Sequence, residues 1–95
     1  MPNETEKVIA VTADGRLLAK SPLLLIERKS GPVWVMNQLF IAPAAPADVM
    51  DQVMEEVKQV CQATGLKVWP LDPKAIAYFQ SHQEFANIWA GQPAN

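Results

Sequence analysis

The chain has 95 residues, 49% hydrophobic and 19% charged, at a mean hydropathy of +0.01, which excludes a disordered chain poor in apolar residues. That length accommodates a single domain over residues 1–95, with a small core and no room for a separate cofactor domain. Eight Lys and Arg against ten Asp and Glu leave a net charge of −2, which argues against a nucleic-acid partner, because polyanions select basic patches.

Residues 1–6 read as a frayed start, and Val8–Val11 as a strand rich in β-branched residues. Asp14-Gly15 signals a two-residue hairpin, because a type I′ turn needs positive φ at both central positions. The chain returns through Arg16–Ala19. Proline cannot donate to a ladder, so the second strand is expected to break or bulge near Pro22 before resuming over Leu23–Arg28. Lys29–Pro32 is a second turn, and Val33–Ile41 a third strand whose apolar residues fall on both faces, as in a strand covered on both sides. A proline-punctuated connection over 42–47 leads to the clearest helix. Asp48 suits its N-cap, Asp51 places charge where the dipole favours it, and Val49, Val53, Val57 and Val60 form its stripe, widened by Met50, Met54 and Cys61. Gly65 is placed to end it in a left-handed cap. Leu66–Trp69 reads as a fourth strand, parallel to the third by a right-handed crossover. Asp72-Pro73 starts a second helix as N-cap and first helical residue, and Gln83–Trp89 reads as a last short helix ending at Gly91. The fold class is therefore α+β: a mixed sheet of about four strands with a long helix and a shorter C-terminal one.

One cysteine, Cys61, and one histidine, His82, supply neither a disulfide framework nor a structural zinc site, so no metal is expected. The start is polar and acidic, unlike a signal peptide, and the longest strongly apolar run, Leu23–Ile26, is too short for a bilayer. The expectation is a soluble cytoplasmic protein with no membrane partner. The apolar face of a short sheet makes a homodimer a candidate assembly.

Gly65-Leu66-Lys67-Val68-Trp69-Pro70-Leu71-Asp72-Pro73, followed by Ala77-Tyr78-Phe79-Gln80-Ser81-His82-Gln83-Glu84-Phe85-Ala86, resembles the ending of the short, single-domain GNAT-like N-acetyltransferases. The match is dense from about Glu55 to Ile88 and topological before that. The resemblance implies a GNAT-like sheet that binds acetyl-CoA where two parallel strands splay apart, and transfer of the acetyl group to an amine whose identity the sequence does not give. It implies backbone amides near Leu39, Phe40 and Ile41 polarising the acetyl carbonyl. CoA would lie along Ala47, Asp48, Val49 and Met50 at the start of the long helix. Tyr78 would be the acid that protonates the departing thiolate. Asp72 stands where such enzymes often carry a cysteine proposed as catalytic.

The pyrophosphate loop of that family has the pattern Arg/Gln-x-x-Gly-x-Gly/Ala, in which free amides and a positive helix end hold the anion. The corresponding stretch here, Ala44–Met50, has no glycine and no arginine; Pro46 removes an amide donor and Asp48 puts a carboxylate in the anion's place. From Ser30 to Val57 there is no Lys or Arg, while Asp48, Asp51, Glu55 and Glu56 are all acidic, so a phosphate placed there would meet repulsion from neighbours within a Debye length of about 10 Å. An alternative to the enzyme is therefore a degenerate, non-catalytic GNAT-like binding or interaction module that has lost CoA. Residue by residue, Asp72 also reads as a plain cap and Tyr78 as a packed aromatic with its hydroxyl at the surface. His82 suits a helix end, Cys61 and Met36, Met50 and Met54 the core, Trp34 and Trp69 the sheet flanks, and Glu55-Glu56 a solvated face.

Overall fold

A computed structural model describes residues 5–29 and 31–91. The elements run β1 Glu6–Ala13, β2 Arg16–Arg28, β3 Gly31–Met36, β4 Phe40–Ile41, α1 Val49–Thr64, β5 Val68–Pro70 and α2 Pro73–Ser81, followed by a 3-10 turn over Gln83–Ile88. Fold and class agree with an α+β reading, but the mixed sheet has five strands. Their order is β1-β2-β3-β5, with β4 also paired to β2.

The hairpin at Asp14-Gly15 forms as its sequence requires, with φ of 53° and 75°. Strand β1 begins at Glu6, two residues before the expected Val8 and within the segment expected to fray; residues 1–4 of that segment lie outside the described residues. The turn expected at 29–32 contains Ser30, which also lies outside them.

Two expectations about the sheet need correction. Strand β2 is not broken at Pro22: it runs unbroken for 13 residues, and its bulge falls earlier, where Leu18 is the extra residue between the Val11–Ala19 and Thr12–Leu17 pairs. Leu25 donates its amide toward β1, to Thr5 O at 2.8 Å, so by alternation the missing N–H of Pro22 points to the other edge. There the neighbouring strand is itself interrupted, so no ladder bond is lost. That interruption is the second correction. Val33–Ile41 is not one strand but two, β3 and β4, separated by Asn37–Leu39; β3 pairs with the far half of β2 and β4 with Ala19 and Lys20. Ser21, fully buried, donates its Oγ to Gln38 O at 2.7 Å and so satisfies a carbonyl in the gap.

Helix α1 buries Val49, Val53, Met54, Val57 and Cys61, as their spacing dictates, against Ile9, Leu23, Trp34, Met36 and Val68. Gly65 closes it at φ 70°, its amide on Cys61 O at 2.9 Å. Trp34, on β3, donates its indole N–H to Thr64 Oγ1 at 3.1 Å and locks the helix end to the sheet. Strand β5 is parallel to β3, as the crossover predicts, pairing Trp34 with Val68 and Met36 with Pro70. Phe79 of α2 and Phe85 and Trp89 behind it complete the main core. The last segment is a short helix as expected, of 3-10 type over Gln83–Ile88, and Trp89 then bridges to Val68 while Ala90 donates to Val68 O at 2.8 Å. On the opposite face, Val33 and Val35 form a small second cluster with Ala90 and Trp69, so β3 is covered on both sides as expected. No helix among the described residues is long and apolar enough to cross a membrane.

Candidate functional site

Parallel strands β3 and β5 end together at Met36 and Pro70, and the chain leaves them in different directions: one into the gap 37–39, the other into α2. The crevice beyond the carboxyl ends of parallel strands is where open α/β sheets place ligands. Leu39 and Asp72 flank this end of the strand pair here.

Asp72 spans this crevice. Its Oδ1 caps α2 by accepting from Lys74 N at 2.8 Å, while its Oδ2 accepts from Leu39 N at 3.0 Å across the gap. Its own amide and that of Leu71 close back on Met36 O, at 3.3 and 2.9 Å. Burial alone would raise the carboxyl, but the Lys74 and Leu39 amides and the Lys74 ammonium, 3.4 Å away, outweigh it and hold the group below the usual value near 3.8. The side chain is a cap and a staple at once.

The other candidate residues are not gathered round a common pocket. Leu39 is buried and its amide is taken by Asp72. Phe40 pairs with Lys20, and Ala42 donates to Leu18 O, so by alternation the Phe40 amide is turned into the sheet against β2; its ring lies on the face away from α1, half exposed. Ile41 faces the core beside Ala19. Ala47 and Asp48 are exposed, Val49 is a buried core residue and Met50 is half buried against the same core.

Asp48 departs from its expected role. Its backbone, at φ −86° and ψ 2°, is already turning rather than extended, because Val49 N bonds to Pro46 O at 3.1 Å and the chain enters the helix through a tight turn. In that geometry its carboxylate makes no capping hydrogen bond, so it stays as a charge at the helix entrance. The neighbouring Asp51 has a partner that spacing alone did not show: Tyr78 donates its hydroxyl to Asp51 Oδ1 at 2.8 Å, joining α2 to the first turn of α1. Desolvation, that hydrogen bond and the charges of Asp51, Glu84 and Glu55 all push the phenol well above its usual value. A phenol whose proton is held by a carboxylate surrenders it less readily than a free one.

His82 stacks flat on Tyr78, with ring centroids 3.7 Å apart, and its Nδ1 lies 2.8 Å from Tyr78 O. A carbonyl only accepts, so Nδ1 carries the proton in that contact, and the ring seals the end of α2. Cys61 is buried in the main core and its thiol is pushed up to about 11 by burial, which leaves it a packing residue. Among the described residues no group of three or more His, Cys, Asp or Glu is arranged to hold a metal ion.

Three of the amides on which acetyl-CoA would depend are thus already engaged: Leu39 by Asp72, Phe40 by β2 and Val49 by Pro46. What the crevice does chemically is tie α2, the strand gap and the first turn of α1 together. Compared with protein-family models, curated proteins and solved structures, the chain gives no significant match in any of the three.

Proposed function

We propose that this chain is a non-catalytic binding or interaction module on a GNAT-like fold, one that has lost acetyl-CoA. The ending over residues 65–86 and the order of interrupted strand, helix, parallel strand and helix support the GNAT-like part of the reading. One observation carries the loss of cofactor: the Asp72 carboxylate sits on the Leu39 amide, the donor that would polarise an acetyl carbonyl, and brings negative charge to that position. The acidic entrance of α1, with Asp48 uncapped and Asp51 bound to Tyr78, supports it further, since a pyrophosphate there would meet carboxylates in place of free amides.

A second reading, an N-acetyltransferase acting on an amine, is favoured by one feature: the strands part after Met36 in the place where such an enzyme would seat its thioester. Under it Tyr78 would be the acid. Titration with acetyl-CoA and CoA at low salt, followed by melting temperature, separates the two. A ligand at 100 times its Kd adds about 2.7 kcal/mol to the native state, worth roughly 10 °C or more in a domain of this size. The expected result is no shift at millimolar CoA. A saturable rise that disappears in Ala47→Glu would establish the enzyme reading instead.

A further inference from the structure

Six large apolar side chains are exposed among the described residues: Val8, Leu17, Leu24, Ile26, Phe40 and Leu71. All but Leu71 lie on one face of the sheet. Cross-strand partners share a face, and the register pairs Val8 with Pro22, Leu17 with Thr12, Phe40 with Lys20, and Leu24 and Ile26 with Val35 and Val33. The residues between them, Ile9, Val11, Ala19 and Leu23, point the other way and are buried with α1. Among the described residues no helix lies on the exposed face; only its β5 end is covered, by Ala90 and Trp69. At its centre is a hollow of about 470 Å³ walled by Val8, Leu17, Pro22 and Phe40, with Glu6, Lys20 and Gln38 around it. Val8 is 52% and Phe40 49% exposed. A contiguous apolar surface of this kind marks an interaction site.

We propose that this face is the interface of a homodimer in which two sheets pack face to face about a two-fold axis at the Val8–Pro22 pair. The charges choose the occupant and the axis. Successive rows on this face are Glu6 with Leu24, Val8 with Pro22, and Ala10 with Lys20. Glu6 therefore stands one row, about 7 Å, to one side of Val8–Pro22, and Lys20 stands one row to the other side on the neighbouring strand. Neither makes an ion pair among the described residues. A two-fold axis running across the strands at Val8–Pro22 exchanges the two ends of the patch. It brings the Glu6 end of each copy over the Lys20 end of the other, so both charges are matched twice around an apolar centre. An axis running along the strands would instead set Glu6 over its own end of the patch, where the same-face cation, Arg28, lies two rows further along β2 and is held over Trp69. A surface that is its own complement under one rotation is what an isologous dimer requires. The inference does not depend on the reading of the crevice, which lies at the carboxyl ends of β3 and β5.

Sedimentation of the full chain from micromolar to near-millimolar concentration tests it. The expected result is a monomer–dimer equilibrium. Glu6→Lys and Lys20→Glu, each alone, set like charges together twice and weaken it about tenfold or more, and the double variant Glu6→Lys/Lys20→Glu restores it. Val8→Asp, on the axis, leaves a monomer. All three substituted positions are exposed, and an unchanged melting profile at low concentration shows that the variants fold. A wild-type monomer throughout overturns the proposal. So does a dimer indifferent to Val8→Asp, or single variants that weaken it without rescue by the double exchange.

Discussion

Asp72 does two jobs with one carboxylate, and only one of them is local. The cap on Lys74 N belongs to the Asp-Pro helix start, while the bond to Leu39 N reaches 33 residues back along the chain. Losing an N-cap costs about 1 kcal/mol, and leaving a half-buried amide unpaired adds about 1 kcal/mol or more. Asp72→Ala is therefore expected to lose about 2 kcal/mol in urea denaturation at neutral pH. The pH dependence has a definite sign. The folded carboxyl lies below the usual value near 3.8, so its contribution is complete above that value and is lost as pH falls through the folded one. The gap between wild type and Asp72→Ala narrows on acidification below about pH 4, and a gap that stayed constant into that range would show that the charge is not what stabilises. Of the candidate site residues, the cap was legible because Asp-Pro is a local signal. The Tyr78–Asp51 bond was not, since its partners sit 27 residues apart on different helices and each has an ordinary local role.

At the scale of elements, α1 follows its sequence closely because every determinant of it is local: the valine stripe, the first-turn acid and a glycine where the chain must turn left-handed. Gly65 lies at φ 70° and a Cβ built there meets nothing within 4 Å. Gly65→Ala should therefore cost only the backbone term of about 1–2 kcal/mol, a fall in melting temperature of several degrees with secondary structure intact. A larger loss would mean that the cap is sterically crowded. The strands were harder to read. Val33–Ile41 is apolar except for Asn37-Gln38, a polar pair that a strand reading passes over and that lies in the gap at 37–39. The gap answers to β2, where Pro22 offers no donor to that edge and Ser21 supplies a hydroxyl to Gln38 O. One proline thus acts on a strand 15 or more positions further along, which a reading of either segment alone misses. The final segment forms a short 3-10 helix, after which Trp89 bridges to Val68.

For the molecule as a whole, one core joins the sheet face beneath α1 to α2 and the 3-10 turn, and Phe79 is its hinge point. It is 2% exposed and its ring lies 5.3 Å from that of Phe85 and 5.6 Å from that of Trp89. Phe→Ala in such a place costs about 3–5 kcal/mol, against a total of about 5–15 kcal/mol for a domain. Phe79→Ala is expected to move the urea midpoint down by a third or more, and a shift of only a few tenths of a molar would show that α2 is peripheral to stability. Among the described residues the other sheet face has no such cover over β1 and the middle of β2, and it is the face proposed above as a dimer interface.

The sequence by itself determined the hairpin at Asp14-Gly15, the span and caps of the α1 C-terminus, the start of α2 at Asp72-Pro73, the parallel strand pair and the absence of basic residues from 30 to 57. These rest on the sign of φ at a few residues and on periodicity, both of which act over one or two turns. Tertiary structure alone decided the loss of the Asp48 cap, the occupation of the Leu39 amide and, among the described residues, which sheet face no helix covers. The hydrogen bonds that fix the crevice, Ser21 to Gln38, Tyr78 to Asp51 and Asp72 to Leu39, join positions 17 to 33 apart, and only the packing of strands and helices brings those partners within reach.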